Sequence, residues 1–147
     1  MFEARFSPDG GCEQLIIDTI NAADFNINAL LFMYQSGPIH TAMLAAVVRG
    51  ATVELIFDRR QQFLVDLRIQ ELVAAGATCY WDKHEKSVRS QYLFTDMGVL
   101  LTGSYIWCYT SEIRYAENLI ATDDPSLTPL FSDDFEIHRA HSELITL

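Results

Sequence analysis

The segment Ala51 to Phe57, ATVELIF, constrains the fold more than any other. It is rich in β-formers and nearly continuous in apolar character, as a strand is when both of its faces are covered. Helical periodicity flanks it. Ile39 to Val48 recurs at three and four residues and closes at Gly50, a C-terminal cap, while Arg59 to Ala75 predicts a further helix ended by Gly76. Upstream, Cys12 to Ala23 places Leu15, Ile16, Thr19, Ile20 and Ala23 on one helical face. Phe25 to Tyr34 is a second apolar run, broken by Ser36-Gly37-Pro38. Glu3 to Phe6 reads as a short strand leading into the turn cluster Ser7 to Gly11. Alternating strands and helices imply βαβ units with right-handed crossovers, so the fold class is α/β.

The second half changes style. Ala77 to Trp81, Gln91 to Thr95, Val99 to Thr102 and Asn118 to Thr122 predict short strands with fewer helices between them. Pro129 to Leu147 predicts a closing helix with Leu130, Phe131, Phe135 and Ile137 facing inward. No linker, repeat or composition break divides the chain, so residues 1–147 are read as one domain.

Ten basic against twenty acidic residues give a formal charge of −10, the wrong sign for a surface that neutralises phosphates. Nucleic acid is therefore an unfavoured partner, although Arg59, Arg60, Lys83, Lys86 and Arg89 could form a local basic strip. Acidity suits docking on a basic protein, or solubility alone. The three cysteines, Cys12, Cys79 and Cys108, have no metal-like spacing and read as buried free thiols of a reducing compartment. No apolar window is long enough for a membrane span, and folded-looking sequence begins by Phe6. The expectation is a cytoplasmic chain without membrane insertion.

The stretch from Phe6 to Gln61 and the turn LLTGSYIW, Leu100 to Trp107, carry a resemblance to the small bacterial Nuc-type endonucleases of the phospholipase D superfamily. In that family a hairpin carries His-x-Lys, then an aspartate, then a Gly-Ser-x-Asn turn. Asp96 stands seven residues before Gly103, which fixes the hairpin at two points. Counting back, the nucleophilic histidine position is Arg89 and the phosphate-binding lysine position is Gln91. The turn serine is kept as Ser104, the turn asparagine falls on Ile106, and the later acidic residue is kept as Glu117 in RYAEN. The resemblance implies a mixed sheet flanked by helices on both faces, one motif per chain, and a two-fold homodimer that pairs the motifs.

These substitutions remove the chemistry. In the implied mechanism a neutral imidazole attacks phosphorus and a second protonates the leaving oxygen. A guanidinium stays protonated and can do neither, and Gln91 removes a positive charge from the transition state. The expectation is a pseudoenzyme without cofactor or metal that binds a protein partner as a regulator, inhibitor or immunity factor. Family members occur on bacterial mobile elements, which suggests a transfer, secretion or nuclease system. The alternative is a divergent metal-independent phosphodiesterase. His84-Glu85-Lys86 also spells His-x-Lys, but Lys86 is followed five residues on by Gln91 where the family has its aspartate.

Arg89 is expected to fill the vacated cleft by pairing with Glu117 or with its symmetry mate. Asp58-Arg59-Arg60 is expected to make local salt bridges. His40 stands near the start of a helix, and His138 and His141 share a helical face, with no third metal ligand evident in the sequence.

Overall fold

The computed structural model describes residues 1–64 and 66–147. The chain runs β1 (Phe2–Ser7), α1 (Cys12–Ala22), β2 (Asn26–Leu31), α2 (Gly37–Val48), β3 (Thr52–Asp58), a 3-10 turn (Arg59–Phe63), α3 (Arg68–Ala75) and β4 (Thr78–Asp82). It continues through β5 (Tyr92–Thr95), β6 (Leu100–Thr102), α4 (Tyr109–Ile113), β7 (Glu117–Thr122), α5 (Thr128–His141) and β8 (Glu143–Leu144). Eight strands form one sheet in the order β1-β7-β6-β5-β2-β3-β4-β8. Strands β2, β3 and β4 are parallel, and every other pairing is antiparallel.

Side chains alternate across a strand, so a sheet covered on both faces builds two cores. Ile27, Ala29, Leu31, Val53, Leu55, Phe57, Leu93 and Leu101 join the helix residues Ile16, Ile20, Ile39, Met43 and Leu72 in one. Leu30, Ile56, Tyr92, Phe94 and Leu100 join Phe135, with Phe131 packed alongside, in the other. Helices α1, α2 and α3 therefore cover one face and α5 the other. The expected α/β fold, with a mixed sheet flanked by helices on both faces, is the one observed.

Two expectations need correction. Arg59 to Ala75 is not one helix, because two aspartate side chains end and restart it. Asp58 Oδ1 accepts from Arg60 N at 2.9 Å and sets the tight 3-10 turn, Leu64 is extended, and Asp66 Oδ1 accepts from Arg68 N at 3.0 Å at the start of α3. Short acidic side chains that bond to nearby backbone N–H groups compete with helix continuation in this way. Val65, which the expected helix included, lies outside the described residues.

The closing helix stops at His141. The chain then adds β8, pairing Tyr80 with Leu144 and Trp81 with Glu143, and buries Ile145. Only Phe131 and Phe135 of the four expected core residues turn inward; Leu130 and Ile137 are 62% and 63% exposed. At 3.6 residues per turn those two sit roughly 100° or more around the helix from Phe131 and Phe135. The three cysteines are free and buried as expected. Among the described residues no helix is long and apolar enough to cross a membrane.

The turn after β6 depends on one glycine. A Cβ on Gly103 would stand 2.3 Å from the Asn118 carbonyl oxygen of β7, a backbone atom that cannot swing aside. Gly37, in the first turn of α2, has its nearest neighbour at 3.7 Å, the end of the flexible Arg68 side chain. Gly103→Ala is expected to destabilise the protein by about 2 kcal/mol or more, whereas Gly37→Ala stays within about 0.5 kcal/mol of the parent. Urea denaturation midpoints check both.

Candidate functional site

The carboxyl ends of β2 and β3 meet the start of β5 and the end of β6 along one edge of the sheet, since Leu30 pairs with Tyr92 and Tyr92 with Thr102. Sheet ends of this kind are where α/β proteins place ligands. Here they enclose a cavity of about 320 Å³ lined by Phe32, Arg89, Gln91, Ser104 and Ile106. Four of the sequence-derived candidates thus share one wall, and Phe32 joins them from the end of β2.

Gln91 is buried, and its Nε2 donates to the Tyr105 carbonyl at 2.6 Å. Its Oε1 is buried and has no partner among the described residues. Ser104 Oγ accepts from Asn118 N at 3.0 Å and from Asn118 Nδ2 at 3.4 Å, which ties the turn to β7. Arg89 is exposed at the cavity mouth and supplies the only formal charge among the lining residues. The expected ion pair with Glu117 is not formed within the chain: neither residue makes a salt bridge among the described residues. Glu117 instead sits opposite Ser7 in the β1–β7 ladder, and its backbone N–H donates to Ser7 Oγ at 3.1 Å.

Asp96 lies away from the cavity, at the other end of β5, about 16 Å along the strand from Gln91. It acts on the fold. Its Oδ1 accepts from Phe25 N at 3.0 Å and from Asn26 N at 2.9 Å, joining the β5 end to the β2 start. Desolvation pushes its carboxyl pKa up, but the N–H groups of Asn26 and Phe25 outweigh that and hold it below the ordinary aspartate value. Asp58, fully buried at the end of β3, accepts from Arg60 N and Nε and, through Oδ2, from Val88 N at 2.6 Å. It makes the expected local salt bridge to Arg60 at 3.0 Å and fixes the segment that leads to Arg89. Arg60 in turn lies 4.9 Å over the Phe32 ring.

His84 is not part of this wall. It follows β4, three strand positions from β5 and so about 14 Å across the sheet, where its ring stacks on His141. His40 is buried between Tyr34 Oη, 3.0 Å from Nδ1, and Glu71, 2.8 Å from Nε2, which gives it a packing role. The basic strip is partly neutralised, with Lys83 on Glu143 and Arg60 on Asp58. A larger cavity of about 500 Å³ lies between Phe94, Gly98 and the start of α5, and its lining includes no imidazole, lysine or cysteine.

Sequence reasoning missed Phe32, which lay unmarked within the apolar run Phe25 to Tyr34, and Asn118, whose only signal was its place beside Glu117. It also missed that Asp82 and Glu85 join His138 and His141, because those pairs are more than fifty residues apart.

Residues 16–139 match the family model described as cardiolipin synthase, PLD-like domain. A phospholipase D of Rickettsia felis is 27% identical over 135 residues, covering 92% of this chain and 68% of that protein. The human mitochondrial cardiolipin hydrolase is 26% identical over 121 residues, covering 82% of this chain and 48% of that protein. Among solved structures, Nuc of Salmonella typhimurium, a phospholipase D family member, superposes with a TM-score of 0.92 at 19% identity, covering 100% of this chain and 99% of that one. NucT of Helicobacter pylori gives a TM-score of 0.82 at 14% identity, covering 99% of this chain and 100% of that one.

The Asp96 clamp has a pH signature. A carboxylate whose folded pKa is depressed contributes stability that is present above its unfolded value of about 3.9 and is lost as pH falls through the lower folded value. Asp96→Asn is therefore expected to be less stable than the parent at neutral pH and to converge with it once the parent carboxyl is protonated. Denaturation midpoints taken from pH 7 downward read the difference.

Proposed function

The chain belongs to the phospholipase D-like family of phosphodiesterases, and from that premise we propose that it is a member whose phosphodiesterase site has lost its chemistry and that works by binding a protein, as a regulator or inhibitor. The observation that supports the reading is that Arg89, Gln91 and Ile106, which the count along the hairpin assigns to the family's histidine, lysine and asparagine positions, line one cavity wall. None of these three side chains serves as nucleophile or general acid near neutral pH, since a guanidinium holds its proton, an amide carries no charge and isoleucine has no polar atom. The side chains of Asp96 and Ser104, which do persist, are engaged in holding strands together, and Glu117 contributes its backbone N–H to the β1–β7 ladder.

The reading includes a homodimer. Phe2, Ala4 and Phe6 of β1 point to the same side as Ile120 of β7, and Phe2, Phe6 and Ile120 are 77%, 63% and 45% exposed. This apolar row ends beside Asn118 and hence beside Ser104, so pairing it two-fold brings two cavities together. A net charge of −10 supports a basic protein as the partner and argues against nucleic acid. Buried free thiols fit a reducing, cytoplasmic setting. Two cores sharing one sheet support reading residues 1–147 as a single domain. A bacterial transfer, secretion or nuclease system is the setting in which such a regulator would act.

Purified protein is expected to scatter light as a dimer, and to hydrolyse neither bis(p-nitrophenyl) phosphate nor single-stranded DNA in EDTA. Affinity capture is expected to return a basic protein. Metal-independent turnover by the unaltered chain, lost in His84→Ala, would make it a divergent enzyme instead. Turnover gained in Arg89→His with Gln91→Lys would mean the site lacks only those two residues.

A further inference from the structure

Four side chains that the cavity does not use converge just beyond β4. Asp82 closes that strand, Glu85 follows three residues later, and His138 and His141 lie three apart on α5. One ligand atom from each lies within 4.8 Å of all the others. Asp82 Oδ2 is 2.7 Å from His138 Nδ1 and 3.1 Å from His141 Nε2. Glu85 Oε2 is 3.3 Å from His141 Nε2 and 3.8 Å from His138 Nδ1. A tetrahedral ion with bonds of about 2.0–2.1 Å separates its ligands by roughly 3.4 Å. The four observed edges bracket that length, so an ion would require shifts of only a few tenths of an ångström along most of them.

The bonding left over points the same way. Asp82 is fully buried, and its Oδ1 is already taken by His84 N at 3.0 Å, which leaves Oδ2 aimed at the two rings. Glu85 Oε2 is buried and has no hydrogen-bond partner among the described residues. An anionic oxygen in that position is costly unless a cation meets it, and a cation between the two carboxylates relieves both the orphaned oxygen and their mutual repulsion. On its far side His138 Nε2 lies 3.7 Å from Asp134 Oδ2, an oxygen that accepts from Tyr92 Oη at 2.8 Å, so the nearby carboxylate adds negative charge beside the ring without a direct hydrogen bond to it. The His84 ring lies nearly flat on His141, 4.3 Å between centroids and 19° between planes, covering it on one side.

The geometry points to a binding site for a divalent metal ion of the zinc class, held by Asp82, Glu85, His138 and His141. Two imidazoles with two carboxylates favour a borderline first-row ion over calcium or magnesium, which want more oxygen ligands or near-octahedral water-rich shells. Four protein ligands close the coordination, so the ion is structural: it pins the last turn of α5 to the end of β4. The site shares no residue with the cavity lined by Arg89 and Gln91, so its fate in a test is separate from that of the proposed function.

The test uses the full chain without an affinity tag, loaded with zinc, dialysed, and analysed for metal content and melting temperature. One zinc ion per chain is expected to remain, zinc but not magnesium is expected to raise the melting temperature, and cobalt is expected to give the visible bands of a tetrahedral site. Removing both rings in His138→Ala with His141→Ala is expected to abolish binding. Glu85→Gln, at a half-exposed position that leaves the fold unchanged by circular dichroism, is expected to weaken zinc at least tenfold. His84→Ala is expected to keep one equivalent. Folded parent protein that retains no zinc overturns the inference, and so does undiminished binding in Glu85→Gln and the double histidine variant.

Discussion

Burial of the sheet on both faces is the constraint on which the remainder of the structure depends. Because residues alternate across each strand, Leu55 and Phe57 face α1 to α3 while Ile56 between them faces α5. Shifting β3 by one residue would move Glu54, half-buried on the Ile56 face, into the core beneath α1 to α3, so hydrophobic burial favours the observed register against β2 and β4. With the register fixed, the ends of β2 to β4 are aligned, and Phe32, Asp58 and Asp82 arrive at one edge of the sheet. Both the cavity and the His-carboxylate cluster are built on that edge.

The first seven strands and the first two helices were legible because their signal is periodicity, which is a direct trace of burial. What failed had a different cause. The break after Arg59–Phe63 is set by single side chains, Asp58 and Asp66, bonding to backbone N–H groups two residues on, and no window of periodicity registers that. The helix α4 was missed because five residues are too few to show a period; it is held by Cys108 Sγ on Ser111 Oγ and by Glu112, which accepts from Tyr105 Oη at 2.9 Å. The strand β8 is two residues long and exists only because β4 offers it an edge.

Asp96 and Gly103 could anchor a count along the hairpin because each answers a structural demand. Asp96 supplies the acceptor for two N–H groups at the start of β2, and Gly103 is the residue that fits against the Asn118 carbonyl. Arg89, Gln91 and Ile106 meet no such demand, so a count is the only way to locate their positions from sequence. The Arg89–Glu117 pair is absent within one chain for the converse reason: a count along the chain gives a position and says nothing about which way an exposed side chain points. The metal cluster was invisible because α5 meets β4 only through the tertiary fold, and a pair of histidines three apart has no ligand geometry until Asp82 and Glu85 are brought to it.

On the proposed reading, in which the cavity takes no phosphate, Gln91 is the kind of side chain that its burial favours. Its Oε1 has no partner among the described residues, a defect of roughly 1–3 kcal/mol for a neutral amide. A lysine ammonium in the same enclosure would cost more, because desolvating a full charge is compensated only when an anion such as a phosphate is bound opposite it. In a chain that binds phosphate, that compensation recurs with every ligand. In a chain that does not, the neutral amide is the cheaper occupant, since it keeps one bond to the Tyr105 carbonyl and leaves only an uncharged oxygen unmet. Arg89 fits the same logic: its charge stands at the mouth in contact with solvent, where it needs no counterion. The two polar side chains are thus arranged as burial and solvation favour for a cavity without an anion, which is the state the proposed function requires.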